Sequence, residues 1–184
     1  MAIISSTQPT KFMSPKSRIK NSKLRWQINV SACLLTQSRG TNIPSMGAVI
    51  RDGNGNWFKG VEALLMHGES ELRCAELLAI ERVLEYGWEL QMPSVVVETD
   101  CLLAIKAIDE ADKDHVYHGI IQNIRFFIHS LPWNVKIKYV KNETNQVASI
   151  LAHRRKWQWD TRFIVHDKPP SKVAHLISRQ GTVI

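Results

Sequence analysis

The run VVVETDCLLAIKAI, residues 95–108, constrains the fold more than any other stretch of the sequence. It begins as an apolar strand rich in valine and continues without a break as an amphipathic helix. Two acids, Glu98 and Asp100, lie at the changeover. A buried strand that leads directly into a helix predicts a sheet with helices packed on its faces.

The rest of the apolar periodicity extends this unit into an ordered series of strands and helices. Three strands come first, and a Gly- and Asn-rich turn at 52–56 joins the second to the third as a hairpin, because Gly and Asn accept positive φ. A long helix over 69–90 follows, and the order over the central region is β-β-β-α-β-α-α-β-α. Three antiparallel strands followed by βαβ connections predict an α/β fold with a mixed sheet.

The charge divides the chain into three parts. The net charge is +7, yet residues 1–24 carry five Lys/Arg and no acid, and residues 154–184 carry seven Lys/Arg against two acids. The central residues 25–153 are therefore left with a net charge of −3. We predict a disordered basic N-terminal extension, a central domain, and a basic C-terminal extension that contains aromatic residues. Basic extensions attract phosphate, or they serve only to solubilise the chain.

Apolar runs and cysteines bear on the compartment. No apolar run approaches the roughly 20 residues of a membrane helix, which predicts a soluble protein without a membrane partner. The three cysteines form no CxxC pair, which favours the reducing cytoplasm or nucleus. The Ser/Thr/Lys-rich N-terminal residues also resemble an organellar transit peptide in composition, although they show no clear Arg-rich amphipathic helix.

Two carboxylates are candidates for a functional site. On a helical wheel of the long helix, Glu76 falls within the apolar stripe, and an acid that faces a core needs a partner. The plain alternative is a Glu at the rim of the core, paired with an Arg or an amide. Asp100 directly precedes a helix, where Asp is a preferred N-cap. Together, however, the two acids converge on one end of a central strand, as ligands of a hard cation such as Mg²⁺ would.

Four motifs in order carry a resemblance to a known family: GAVIRDGNGNW, CAELLAI, VVVETDCLLAI and YVKNETNQVASILA. Across residues 25–153 the chain resembles the RNase H-like (type 1) domain of plant retroelement-derived, reverse-transcriptase-associated proteins. The resemblance implies a five-stranded mixed sheet flanked by helices. It also implies a site of four carboxylates that hold two Mg²⁺ (or Mn²⁺) ions for RNA–DNA hybrid hydrolysis, with Glu76 and Asp100 as catalytic residues and metal ligands.

The other two ligand positions depart from the family pattern. The first strand of the family reads like NVDAS, whereas this chain has Ser31 in place of the Asp. The last helix reads like NQVADxLA, and here Ser149 replaces the fourth acid. A serine hydroxyl is a neutral, weak ligand, so two of the four anionic ligands are missing. We therefore expect hydrolysis to be impaired or lost.

Three hypotheses for the function follow. The first is a nucleic-acid-binding domain that engages RNA–DNA hybrid or other nucleic acid without efficient cleavage, with help from Trp157, Trp159 and Phe163 in the C-terminal extension; these rings could equally pack back onto the domain. The second is an active ribonuclease H with altered metal use. The third is an interaction or vestigial module with no role in nucleic-acid binding, which the acidic central domain favours.

Overall fold

A computed structural model describes residues 25–36, 42–65, 72–110, 112–154 and 163–180. The described strands are β1 (Trp26–Thr36), β2 (Asn42–Arg51), β3 (Trp57–Leu64), β4 (Ser94–Thr99), β5 (Asn134–Tyr139) and β6 (Ile164–His166). The described helices are α1 (Leu72–Glu89), α2 (Leu102–Glu110), α3 (His118–His129), α4 (Gln146–Arg154) and α5 (Ser171–Gln180), with a short 3₁₀ helix at Asn142–Thr144. Up to α4 the order of elements is the predicted one.

The strands form one mixed sheet in the order β5-β4-β1-β2-β3-β6. The first three strands are antiparallel neighbours, whereas β4 runs parallel to β1 and β5 runs parallel to β4. This arrangement confirms the predicted α/β fold with a mixed sheet. The described sheet has six strands rather than five, because β6 pairs antiparallel with β3, with His166 opposite Gly60.

Helices cover both faces of the sheet. Trp26, Ile28 and Val30 alternate along β1 toward the face that carries α1, α2 and α3, and all three are buried in the larger core. The opposite face packs against α4 and α5 through a smaller cluster of buried side chains, which comprises Val49, Val147, Leu151 and Val173. The central strands therefore bury side chains on both faces of the sheet, and few of their residues are polar and exposed.

The predicted hairpin turn at 52–56 is present. The Asp52 amide donates to the Asn56 carbonyl oxygen at 3.0 Å, and the Asp52 carboxylate accepts the amides of Asn54 and Asn56, each at 2.9 Å. Gly55 has a φ of 82°, a conformation that a residue with a Cβ adopts only at a cost.

The C-terminal residues 163–180 are attached to the sheet by side chains as well as by β6. Glu62 of β3 is 3% exposed, and its Oε1 lies 3.1 Å from Nε of Arg154 and 3.0 Å from Nε2 of His166. The Phe163 ring packs on Tyr86, with ring centroids 5.8 Å apart, so it lies against the domain. Trp157, Trp159 and the predicted N-terminal extension lie outside the described residues.

Within the described part of the chain, no helix is long and apolar enough to cross a membrane. The three cysteines are free thiols. Cys33 donates to or accepts from the Ser45 hydroxyl at 3.0 Å, and burial raises the pKa values of Cys33 and Cys101. Both thiols are therefore kept in their unreactive form, as packing residues are.

Candidate active site

The candidate site lies at the carboxyl end of β4, beside the middle of β1, in the centre of the sheet. These two strands are parallel and Val30 is in register with Thr99, so Asp100, which follows β4, and Ser31, which continues β1, lie at the same level. α1 packs against β1 and presents Glu76 at this level. The fold thus brings together residues that are far apart in sequence.

Glu76 is buried and hydrogen-bonded on both carboxylate oxygens. Its side chain is 3% exposed, as the helical wheel predicted, and its Oε2 accepts the Ala32 amide at 2.8 Å. Its Oε1 accepts the Thr99 hydroxyl in a short hydrogen bond. Burial outweighs these two donors, and it raises the pKa of Glu76 from 4.5 to about 7. The negative charge of Asp100 adds to the rise, which places the two acids within electrostatic reach of each other.

Both oxygens of Asp100 accept hydrogen bonds from asparagine side chains. Nδ2 of Asn145 donates to Oδ1 at 2.8 Å, and Nδ2 of Asn142 donates to Oδ2 at 2.9 Å. At the N-terminus of α2 the side chain of Cys101 accepts hydrogen bonds from the Leu103 and Ala104 amides, and the Cys101 amide donates to Oγ1 of Thr99 at 3.0 Å. The alternative that Asp100 serves as the helix cap is therefore not what the structure shows.

Asn145 connects the strand ends to α4. It is fully buried, and the same Nδ2 that donates to Asp100 also donates to the Val30 carbonyl oxygen at 2.7 Å. Its own Oδ1 is buried and has no hydrogen-bond donor within the described residues. A buried amide oxygen without a donor costs free energy of folding, so the two hydrogen bonds that Nδ2 donates must offset that cost.

The two serines occupy the remaining predicted ligand positions. Ser31 is 5% exposed and directly precedes Ala32, whose amide binds Glu76. Ser149 lies one helical turn after Asn145, and its amide donates to the Asn145 carbonyl oxygen at 3.1 Å. Among the residues described, neither serine hydroxyl makes a hydrogen bond. Ser31 thus directly precedes the residue that binds Glu76, and Ser149 lies one turn beyond the residue that binds Asp100.

The donor set does not fit a pair of divalent cations. Two such ions bring four positive charges, whereas Glu76 and Asp100 offer at most two negative charges. Every oxygen of the two carboxylates already accepts a protein hydrogen bond. In the described ranges no group of three or more His, Cys, Asp or Glu is arranged to hold a metal ion.

Sequence reasoning missed three residues that hold the two carboxylates in place, namely Thr99, Asn142 and Asn145. Thr99 and Asn145 lie inside motifs that were recognised, so a closer look at ETD and NQVASILA could have singled them out. Asn142 lies in the recognised motif YVKNETNQVASILA as well, but its pairing with Asp100, 42 residues away in the sequence, does not follow from that pattern.

Comparison with known proteins places the central region in a described family. The model of the family described as reverse transcriptase-like matches residues 29–155. A protein of Arabidopsis thaliana, provisionally named a ribonuclease H protein, is 30% identical to this chain over 118 residues. That match covers 63% of this chain but only 18% of the relative, so the chain spans about a fifth of the relative's length.

Several solved structures share the fold. RNase H1 from the halophilic archaeon Halobacterium salinarum superimposes with a TM-score of 0.59 at 20% identity, over 71% of this chain and 96% of the other. LC11-RNase H1 in complex with an RNA/DNA hybrid gives 0.56 at 20% identity, over 72% and 95%. The protease–reverse transcriptase of prototype foamy virus gives 0.55 at 17% identity, over 81% and 23%.

Proposed function

The chain belongs to the reverse transcriptase-like family and carries an RNase H-like domain, and we propose that it binds RNA–DNA hybrid or other nucleic acid without hydrolysing it efficiently. In this proposal Glu76 and Asp100 are the remaining members of a metal-binding site, and Ser31 and Ser149 are the positions at which its ligands were lost.

The observation that carries the loss of hydrolysis is the set of ligand atoms at the carboxyl end of β4, beside the middle of β1. Metal-assisted hydrolysis needs anionic ligands that hold Mg²⁺ against its strongly bound water. The two carboxylates that remain are hydrogen-bonded to Thr99, Ala32, Asn142 and Asn145 instead. The hydrogen-bond donors place partial positive charge next to the two carboxylates, and this stabilises their negative charge.

The fold supports the binding half of the proposal. One structure with the same fold, LC11-RNase H1, holds an RNA/DNA hybrid, and a foamy viral protease–reverse transcriptase has also been solved with one. The sheet and the helices that frame the site are retained here, so the scaffold that presents a surface to such a substrate is retained as well.

We further propose that residues 25–153 are the RNase H-like unit and that residues 1–24 and 154–184 are basic segments flanking it. Residues 25–153 carry a net charge of −3, so in this proposal the flanking segments and individual lysines of the unit attract the phosphates. The free cysteines, of which Cys33 and Cys74 are buried, are in keeping with a cytoplasmic or nuclear location.

Binding and cleavage of one labelled RNA–DNA hybrid test the two halves of the proposal separately. We expect fluorescence anisotropy to report binding in EDTA at about 50 mM salt, weakening as salt is raised. We expect gel analysis of the same hybrid to show no cleavage above background in Mg²⁺ or Mn²⁺. Undetectable binding at low salt would favour the interaction module, and cleavage in either metal would favour the active enzyme.

A further inference from the structure

An exposed aromatic side chain lies beside the candidate site on a rigid strand. Tyr139 is the last residue of β5, which is an edge strand, and it is in register with Thr99. The chain after it is held in place, because the Val140 amide donates to the Thr99 carbonyl oxygen at 2.9 Å and Asn142 donates to Asp100. Tyr139 is therefore anchored on both sides next to the end of β4.

An apolar helix residue extends this surface. Ile137 of β5 and Ile105 of α2 line one small cavity, so these two elements face each other at that level. Tyr139 lies two residues further along β5, and Leu102 lies one turn back along α2. Both are therefore nearer the same end of the sheet. Tyr139 is 50% exposed and Leu102 is 48% exposed.

Two lysines follow these apolar side chains within four residues of the chain. Lys141 follows Tyr139 by two residues, and Lys106 lies one turn after Leu102 on the outer side of α2. Both are exposed, and neither forms an ion pair with a carboxylate in the part of the chain that the structure describes. The acids near them in the sequence are Asp109 and Glu110 on α2, Glu143 on the 3₁₀ helix, and Asp100, whose oxygens are bound by amides. We name the four side chains Tyr139, Leu102, Lys106 and Lys141 the Tyr139 platform.

A planar ring between free cations suits one kind of nucleic-acid partner. Bases stack on aromatic side chains while cations contact the phosphates on either side, and this mode requires a base whose face is free. In a duplex the faces of the bases are covered by their neighbours, so a side chain at the surface cannot reach them. An unpaired base has no such cover.

We propose that the Tyr139 platform stacks an unpaired base, so that the nucleic acid preferred by this chain carries a single-stranded segment beside the hybrid. The inference rests on the proposed function, because it names the part of the nucleic acid that this end of the sheet receives. It assigns Tyr139 a contact with the ligand, and it assigns Lys106 and Lys141 contacts with flanking phosphates.

Three substrates and three variants at Tyr139 test the role of the ring. We expect the full chain to bind a hybrid with a single-stranded overhang, and a single strand alone, more tightly than a blunt hybrid of equal paired length. Tyr139→Phe should keep the preference, whereas Tyr139→Leu and Tyr139→Ala should weaken binding to the overhang substrate by about 5- to 150-fold. Binding to the blunt hybrid should stay within twofold. Phe126→Ala, which removes another exposed aromatic ring from α3, should change none of these affinities.

The lysines offer a second, matched comparison on the same strand. Lys136 and Lys138 are exposed on β5 but alternate with Tyr139, and Lys138 is in register with Glu98 on the other face of the sheet. Lys106→Gln/Lys141→Gln should lower the salt dependence of single-strand binding by up to about 1.4 units of the log–log slope, and Lys136→Gln/Lys138→Gln should not.

The outcomes separate the inference from the proposed function. Equal binding of blunt and overhang hybrids, or an overhang affinity that Tyr139→Leu leaves unchanged, would overturn the inference while the proposed function stands. If the native chain binds none of the three substrates at low salt, both are overturned.

Discussion

At the scale of single residues, the candidate site depends on the hydrogen bonds that stabilise one buried acid, Glu76, and one half-buried acid, Asp100. Glu76 loses hydration on burial and regains only two hydrogen bonds, so its protonated form is favoured up to about pH 7. Asp100 is held by the side-chain amides of Asn142 and Asn145. The site is thus a hydrogen-bonded network in which each carboxylate oxygen has a protein donor.

The raised pKa of Glu76 predicts a specific dependence of stability on pH. Below 4.5 the carboxyl is protonated in both the folded and the unfolded chain, so it adds no pH dependence. Between 4.5 and about 7 the unfolded chain releases the proton while the folded chain keeps it, so the free energy of unfolding falls as the pH rises. Above about pH 7 this group has lowered the free energy of unfolding by roughly 3 kcal/mol, and it lowers it no further.

Glu76→Gln isolates this effect, because glutamine keeps the side-chain shape and does not titrate. Urea unfolding of both proteins from pH 4.5 to 8 should show the variant gaining stability over the native chain through this window, with the gap constant above it. Parallel pH profiles for the two proteins would show that Glu76 does not titrate with a raised pKa.

At the scale of secondary-structure elements, the position of α4 is set by a close approach to β2. A Cβ atom on Gly47 would overlap the Ala148 carbonyl oxygen and the Ala152 amide nitrogen, and it would lie 2.7 Å from the Leu151 Cβ. Gly47 is also opposite Ser31 in the register of β1 and β2. The separation between Ser31 and α4, which carries Ser149, therefore depends on the absence of a side chain at Gly47.

Gly47→Ala should consequently destabilise the protein, because two of the overlapping atoms belong to the backbone of α4 and cannot rotate away. We expect a loss of about 1–3 kcal/mol in the free energy of unfolding, measured by urea denaturation. Gly119→Ala is the matched control: no atom lies within 4 Å of its added Cβ, and alanine favours a helix. A stability of Gly47→Ala equal to that of the control would contradict the close approach.

The attachment of β6 to β3 depends on Glu62. Its carboxylate is nearly inaccessible and lies next to Arg154 and His166, so removing its charge leaves Arg154 without its partner. Glu62→Gln should cost about 1–3 kcal/mol and should speed hydrogen exchange of the β6 and α5 amides. Asp167→Asn, which removes the exposed partner of Lys59, should change little. Unchanged exchange at β6 in Glu62→Gln would show that backbone pairing alone holds this strand.

At the scale of the whole molecule, the fold was accessible from the sequence because its signals are local. The valine run of β4, the alternation along β1 and the turn at 52–56 each specify one element within about ten residues. β6 was missed because three residues carry no periodicity, and its pairing depends on contacts with β3 that lie 104 residues away.

The site was accessible only in part, for the same physical reason. The inward position of Glu76 follows from helical periodicity, and that of Asp100 follows from its place at the end of a strand. The donors to these acids come from distant segments: Ala32 is 44 residues from Glu76, and Asn145 is 45 residues from Asp100. Such pairings depend on the sheet register, which short-range pattern does not specify.

The measurement that most directly tests the account is Mg²⁺-dependent cleavage of an RNA–DNA hybrid by the native chain and by Ser31→Asp/Ser149→Asp. The double variant places four carboxylates within β1, at the end of β4 and on α1 and α4, and with them the charge that two cations require. We predict that the variant cleaves the hybrid and that the native chain does not. Cleavage by the native chain at a comparable rate, or no cleavage by a double variant that circular dichroism shows to be folded, would contradict the claim that these two serines disable the site.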